Sequence, residues 1–334
     1  MWWEPRHEHE YGVSRAVTVL RDWFGGPRDR ESPFAWGYGS VWSPGVGALA
    51  PLILLNAESL ELEPRGRTQF KQSMRLLLAS EVDNLNGFRG DQYLRRLAYE
   101  FRVHFLPVRR PRSSSLHQEI FRRYLPIRGP IVCGRTGKLG SPGISVWDAT
   151  NAEPGFLTAG HVFPEGVDST VMLPGSFFWP RRRQIGEVSH HVVPRGNAFG
   201  WDAAVVRHRP RTFFWSPAVR RVLDRFRGPE PVVVHGAISG SVSQAAVLQG
   251  ALEQVQADAM NWKNCWMIGP SDVLTSGDSG AAVFTRSDAA WLGTFVGSSY
   301  FEGSNEPFIH YVQDGNSLET TILASWRVQL RRGP

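Results

Sequence analysis

From about residue 125 the chain stops reading as helix and breaks into short apolar runs separated by turn residues. That pattern limits the fold more than any other feature. Candidate strands are 131–135, 143–148, 155–159, 170–173, 185–193 and 201–206. Beyond a basic segment at 207–228 follow 231–234, 244–249, 251–257, 265–268, 281–285, 292–296 and 308–312. Short runs of this kind between turn signals predict antiparallel strands. Two such groups fit two antiparallel barrels or sandwiches, a mainly β architecture. The 34 glycines and 23 prolines agree, since many short strands need many turns. Leu318, Ile322, Leu323, Trp326 and Leu330 then share one helical face, which predicts a C-terminal helix over 316–330. Asn316 and Glu319 have the spacing of a capping box at its start.

Residues 1–124 have another character. Val13, Ala16, Val17, Leu20 and Phe24 recur at helical spacing and stop at Gly25-Gly26. Phe70, Met74, Leu77, Leu78 and Val82 mark a second amphipathic helix. Leu94, Leu97, Ala98, Phe101 and Phe105 mark a third, with Asp91 as N-cap and Pro107 beyond its end. Residues 27–66 are rich in Pro, Gly and Trp and show no clear period. No catalytic constellation occurs here. The expectation is a mostly helical or irregular extension, an adaptor or a pro-segment, that regulates or targets the rest. Residues 108–117 are basic, serine-rich and aperiodic, and read as a linker whose arginines suit proteolytic nicking. The division is therefore 1–124 and 125–334. Within the second part the first barrel covers about 125–210, the second about 228–315, and the C-terminal helix follows.

Composition narrows the function classes. A chain of 334 residues can bury one sizeable core with an appendage. The formal charge is +6, but the basic residues, arginine except for Lys71, Lys138 and Lys263, are scattered rather than striped, so no nucleic-acid partner is expected. Residues 1–10 hold no apolar leader, and the run 46–55 is too short and too interrupted by proline to span a bilayer. No membrane association and a cytoplasmic location follow as expectations. Cys133 and Cys265 form at most one disulfide and read as buried thiols. His190-His191 and His7/His9 have no cysteine or carboxylate set at ligand spacing, so no metal or other cofactor is expected.

Three stretches carry chemistry. In Thr275-Ser276-Gly277-Asp278-Ser279-Gly280 a serine sits in a glycine-rich turn ahead of a small-residue strand. Such a turn can aim N–H groups at one spot beside the Ser279 hydroxyl, as acyl transfer requires. Gly155-Phe156-Leu157-Thr158-Ala159-Gly160-His161 is an apolar strand that delivers a histidine, a group able to take and return the serine proton. Trp201-Asp202-Ala203-Ala204-Val205-Val206 places a carboxylate at the mouth of another apolar strand, where it can hold the imidazole.

These blocks, "FLTAGHV", "WDAAVV" and "SGDSGAAVF", resemble the three signature blocks of the trypsin/chymotrypsin-like serine peptidases, in a bacterial flavour similar to the streptogrisin and alpha-lytic type. The order His161, Asp202, Ser279, spaced by 41 and 77 residues, is the order of that family. The resemblance covers roughly 125–334. It implies two antiparallel β-barrels meeting at the site, with His161 as general base, Asp202 as its orienter and Ser279 as nucleophile. It further implies an oxyanion hole from the Gly277 and Ser279 N–H groups, and an edge strand 293–298, including Val296, Gly297 and Ser298, that pairs with substrate backbone. Val273 falls at the pocket base and His310 at the pocket wall, with an apolar or small residue preferred before the scissile bond. Val162 replaces the cysteine that extracellular relatives carry, which supports a reducing compartment. Ile131-Val132-Cys133-Gly134 is similar to the mature start of animal trypsins, which would bring Asp278 to a freed N-terminus, although Pro130 stands before it.

The function implied is a serine endopeptidase acting on protein or peptide substrates through an acyl-enzyme, intracellular, bacterial and controlled by its N-terminal extension, which would itself take a protein partner. Two alternatives stand beside it. One is a catalytically silent binding or scaffold protein of the same fold, and the other an effector protease of a bacterial conflict or stress system.

Overall fold

A computed structural model describes residues 5–24, 35–44, 48–57, 64–84, 103–113, 116–117, 131–173, 183–208, 217–226, 228–258, 260–269, 274–300 and 307–332. In chain order the elements begin with helix α1 (Pro5–Phe24), strands β1 (Ala35–Ser43) and β2 (Ala48–Asn56), and helix α2 (Pro64–Asn84). Short strands β3 (His104–Val108), β4 (Arg112–Ser113) and β5 (Leu116–His117) follow. Next come β6 (Ile131–Cys133), β7 (Lys138–Gly140), β8 (Ser145–Asp148), β9 (Glu153–Thr158), β10 (Thr170–Leu173), β11 (Arg183–Val192), β12 (Phe199–Gly200) and β13 (Ala203–His208). The remainder is β14 (Arg221–Val222), β15 (Glu230–Gly236), β16 (Gly240–Gln256), β17 (Asn261–Gly269), β18 (Ala282–Thr285), β19 (Ala290–Tyr300), β20 (Pro307–Asp314), a C-terminal helical segment from Gly315 to Leu323, and β21 (Val328–Leu330).

The strands form two sheets. The first runs β21-β8-β9-β13-β11-β10-β6-β7-β5. In the second, β17-β20-β19-β18-β15-β16 are neighbours in that order, and a further β16–β17 pairing closes these six strands into a ring. Alternate side chains of these strands point inward, so Val232, Val234, Leu248, Ile268, Val283, Leu292, Phe295 and Val312 fill one apolar core. A mainly β chain with two sheets and a C-terminal helix is what the sequence pattern predicts, and it is compatible with a two-barrel, chymotrypsin-like arrangement. A second core joins the sheets: Leu157 and Val205 of the first, with Trp201 just ahead of β13, pack with Ala282, Phe284 and Trp291 of the second, and with Leu318, Ile322 and Leu323. The C-terminal helical segment thus seals the junction. Among the described residues no helix is long and apolar enough to cross a membrane.

Several boundaries differ from the sequence reading. The aperiodic stretch 27–66 supplies β1 and β2, which extend the second sheet because β1 pairs antiparallel with β16 and β2 with β1. The reason is two-sided burial. Leu52 and Leu54 face a core with Trp262 and Tyr311, whereas Ile53 and Leu55 face Leu20, Tyr38, Phe70 and Met74 beneath α1 and α2. A strand buried on both faces reads as a continuous apolar run without alternation. Each of those leucines, and Ile53, contributes roughly 1.5–3 kcal/mol by leaving water. Phe105 and Pro107, assigned from sequence to the third helix and its stop, lie in β3, parallel to β2; Leu94, Leu97, Ala98 and Phe101 fall outside the described residues.

The strands expected at 244–249 and 251–257 are one long strand, β16, with a register shift near Leu248–Gly250. The C-terminal helix stops short of 330, because Leu330 enters β21 and pairs with Val146. Its N-cap is Asp314 rather than Asn316, since the Asp314 carboxylate accepts from the main-chain N–H groups of Asn316 and Ser317. Ile131 is the first residue of β6, fully buried and paired with Gly140.

Candidate active site

The three chemistry-bearing residues arrive from different elements. His161 sits in a single 3-10 turn, Gly160–Val162, directly after β9. Asp202 immediately precedes β13, and Ser279 lies in the turn before β18. Strands β9 and β13 are neighbours, with Thr158 opposite Ala204, so His161 and Asp202 emerge side by side from one end of the first sheet. Ser279 comes from the second sheet.

The structure brings them together. Asp202 Oδ2 lies 2.6 Å from His161 Nδ1, and His161 Nε2 lies 2.9 Å from Ser279 Oγ. The other carboxylate oxygen, Oδ1, accepts the main-chain N–H of His161 at 2.8 Å. Two bonds from one carboxylate to one residue fix both the position of the histidine backbone and the rotation of its ring. His161 is 3% exposed and Asp202 and Ser279 are 0% exposed, so water does not compete with this chain of bonds.

Supporting groups hold each member. Asp202 N–H donates to Gln313 Oε1 at 2.8 Å, and Gln313 Nε2 donates to the carbonyls of Gly200 and Lys263. His191 Nε2 donates to the Gly160 carbonyl at 3.0 Å, bracing the turn that carries His161. Ser141 N–H donates to the Ser279 carbonyl at 2.7 Å and its hydroxyl to the Gly277 carbonyl at 3.3 Å, while the hydroxyl oxygen accepts from Ala237 N–H. Sequence reasoning passed over Gln313 and Ser141. The one trace of Gln313 is a lone amide at the end of the apolar run 308–312.

The serine turn depends on glycine. Gly277 and Gly280 have φ of 97° and 95°, in the left-handed region. At Gly280 a Cβ would also lie 2.1 Å from Thr158 Oγ1 and 2.3 Å from the Ser141 carbonyl oxygen, so the two sheets touch through a position where no side chain fits. Asp278 does not meet a chain terminus. Its carboxylate accepts main-chain N–H groups from Thr275, Ile238 and Ser239, tying the serine turn to the β15–β16 connection. Burial pushes the Asp278 carboxyl above the usual carboxylate range, and those N–H donors oppose the rise.

Of the residues expected to bind substrate, Val296, Gly297 and Ser298 are consecutive on β19 and His310 is on the adjacent β20. Val296 packs in the apolar core with Trp262 and Tyr311. Ser298 and His310 face each other on β19 and β20, buried, with Ser298 Oγ 2.7 Å from His310 Nδ1. Val273 lies outside the described residues. The stretch 293–298 is not an open edge: Gly293 and Thr294 are flanked by β18 and β20, and Gly297 and Ser298 by β20 and β4. Away from the site, His190 bonds to Asp148 Oδ2 and stacks on Trp326, and Cys133 and Cys265 are free, buried thiols.

No protein-family profile matches this chain, and no curated protein matches it in sequence. Partial likenesses to solved structures exist. The active form of the Rv3671c protease of M. tuberculosis is 14% identical over 62% of this chain and 84% of its own, with a TM-score of 0.37. The serine endoprotease of Yersinia pestis is 13% identical over 63% and 65%, with a TM-score of 0.27. Tobacco etch virus protease complexed with product is 12% identical over 52% and 69%, with a TM-score of 0.30. At such scores the likenesses are remote, and the chemistry of this chain has to be argued from its own site.

Proposed function

We propose that the protein is a serine endopeptidase that cuts peptide bonds through an acyl-enzyme. The observation that carries this is the unbroken hydrogen-bond chain Asp202–His161–Ser279 across the junction of the two sheets. A nucleophile within hydrogen-bond reach of a base, itself oriented by a third group, is the arrangement that activates a hydroxyl.

In this reading Ser279 Oγ attacks the substrate carbonyl carbon while His161 Nε2 takes its proton. Asp202 keeps the imidazole proton on Nδ1 and stabilises the imidazolium that forms. The main-chain N–H groups of Gly277 and Ser279 receive the negative oxygen of the tetrahedral intermediate. His161 then gives its proton to the leaving amine, and water repeats the sequence on the acyl ester. An apolar or small residue is assigned to the position before the scissile bond.

The test is labelling with a fluorophosphonate together with turnover of a protein substrate. Wild-type protein should take up the probe and hydrolyse; Ser279→Ala should do neither. Hydrolysis that persists unchanged in Ser279→Ala would remove the serine from its role.

A further inference from the structure

Ser141 lies between β7 and β8 of the first sheet, yet its N–H and its hydroxyl both reach across to the second. The N–H donates to the Ser279 carbonyl at 2.7 Å. The hydroxyl oxygen accepts the Ala237 N–H at 2.8 Å, which leaves the hydroxyl proton for the Gly277 carbonyl, 3.3 Å away. The Ser141 carbonyl in turn accepts from Thr158 Oγ1 at 2.8 Å, so the residue is also held from β9. Ser141, Thr158 and Ser279 are all fully buried, and bulk water cannot take over these bonds.

The two carbonyls that Ser141 holds belong to Gly277 and Ser279, the residues whose N–H groups are assigned above to the oxyanion. Three peptide planes run from Gly277 to Gly280. The first has its carbonyl on the Ser141 hydroxyl and its N–H, that of Asp278, on the Thr275 carbonyl at 3.1 Å. The third has its carbonyl on the Ser141 N–H and its N–H, that of Gly280, on the Phe295 carbonyl at 2.8 Å. Between them lies the plane that carries the Ser279 N–H, so its tilt follows from two fixed neighbours. The Gly277 N–H is set by the first plane through the Gly277 φ of 97°. Glycine takes positive and negative φ with similar ease, so nothing in the residue itself selects that value. Without the hydroxyl, the first plane would keep its bond to Thr275, which belongs to the same turn and can move with it.

We propose that the Ser141 hydroxyl positions the oxyanion hole: holding the Gly277 carbonyl from the opposite sheet, it keeps the Gly277 and Ser279 N–H groups aimed at one point. The inference rests on the hydrolase reading above. Ser141 touches no reacting atom and acts through the serine turn, which makes it a positioning residue. Its hydroxyl also ties that turn, through Ala237, to the β15–β16 connection that Asp278 grips from the other side through Ile238 and Ser239. Removing it therefore loosens the donors while leaving the bonds of His161 to Asp202 and Ser279 in place.

The experiment compares full-length wild type, Ser141→Ala, Ser141→Thr and Thr158→Ala by the rate of fluorophosphonate labelling across pH and by thermal melting. In labelling, Ser279 Oγ bonds to phosphorus, its proton passes to His161 and fluoride leaves, while charge grows on the phosphoryl oxygen that the hole receives. Ser141→Ala should lower the plateau rate by about tenfold to a hundredfold, less than outright removal of a donor, with the pH midpoint unmoved. Ser141→Thr keeps the hydroxyl and should label close to the wild-type rate. Thr158→Ala removes a buried bond to the same residue from outside the serine turn; it should melt lower and label close to the wild-type rate. An unchanged rate in Ser141→Ala, a moved pH midpoint, an equal loss in Thr158→Ala, or a folded Ser141→Thr that labels as slowly as Ser141→Ala overturns the proposal and leaves the hydrolase reading standing. If Ser141→Ala does not fold, Ser141→Thr still decides, since slow labelling by that folded variant overturns the proposal. Wild type that does not label removes both.

Discussion

The main-chain N–H of Asp202 donates to the side-chain oxygen of Gln313, 2.8 Å away on β20. The carboxylate that orients the histidine thus takes its own position from a strand of the opposite sheet. Gln313 is fully buried and spends its two amide protons on the carbonyls of Gly200 and Lys263, so every polar atom of its side chain has a task. Under the proposed activity it is a positioning residue. Gln313→Leu should lower kcat by about a hundredfold, the scale of an ångström-sized misplacement, with KM little changed. The orphaned carbonyls should cost about 1–3 kcal/mol in denaturant unfolding. Steady-state kinetics on a peptide substrate separates the two effects, and an unchanged kcat in a destabilised variant would mark Gln313 as merely structural.

Asp202→Asn keeps the size of the side chain and removes its charge. An amide at Oδ2 can no longer favour the tautomer that leaves Nε2 free to accept. A fall in kcat of about 10⁴-fold is expected, with the fold retained by circular dichroism.

Gly280→Ala combines positive φ with direct overlap on Thr158 and Ser141. The backbone term alone is about 1–3 kcal/mol, and the overlap lies between the two sheets. Loss of folded protein, or a large drop in melting temperature with loss of labelling, is the expected outcome. Thr158→Ala in the same background should recover only part of it, because the Ser141 carbonyl is backbone.

Asp148 gives a pH signature distinct from catalysis. Burial acts to raise its carboxyl, but hydrogen bonds from Asn151, Thr150 and His190 outweigh it and hold the group below the usual range. A carboxyl depressed in the native state stabilises above its unfolded value and loses that contribution as pH falls through the native one. Asp148→Asn should therefore cost about 1.5–3 kcal/mol at neutral pH, with the gap to wild type closing in strong acid. Denaturant midpoints measured against pH check the sign.

Ile53→Ala probes whether the N-terminal third is integral to the rest. Ile53 is fully buried beneath the helices, yet its strand belongs to the sheet that carries Ser279. A loss of about 2–5 kcal/mol is expected. It should move the single thermal transition of the whole chain, and two resolved transitions would show independent units.

The candidate site was more legible in the sequence than the fold around it, and the reason is local. His161 and Asp202 each stand at the end of an apolar strand, and Ser279 lies in a turn whose glycines mark it; such signals need no knowledge of distant contacts. Gln313, Ser141 and the β4 pairing depend on residues far apart in sequence, and nothing beside them announces their partners. Strand β2 was hidden by burial on both faces, which erases the alternation that betrays a strand. At the C-terminus, Leu330 kept the helical spacing of Ile322, Leu323 and Trp326 but was captured by β8, a partner the helical period cannot disclose.

The antiparallel pairing of β1 with β16, from Gly37 opposite Val255 to Val41 opposite Gly250, has a consequence for any break between the two parts of the chain. A severed N-terminal piece would keep its strands in the sheet and its helices on a shared core. The protein would then persist as a nicked, two-chain particle that separates on a denaturing gel and travels as one species through a gel-filtration column.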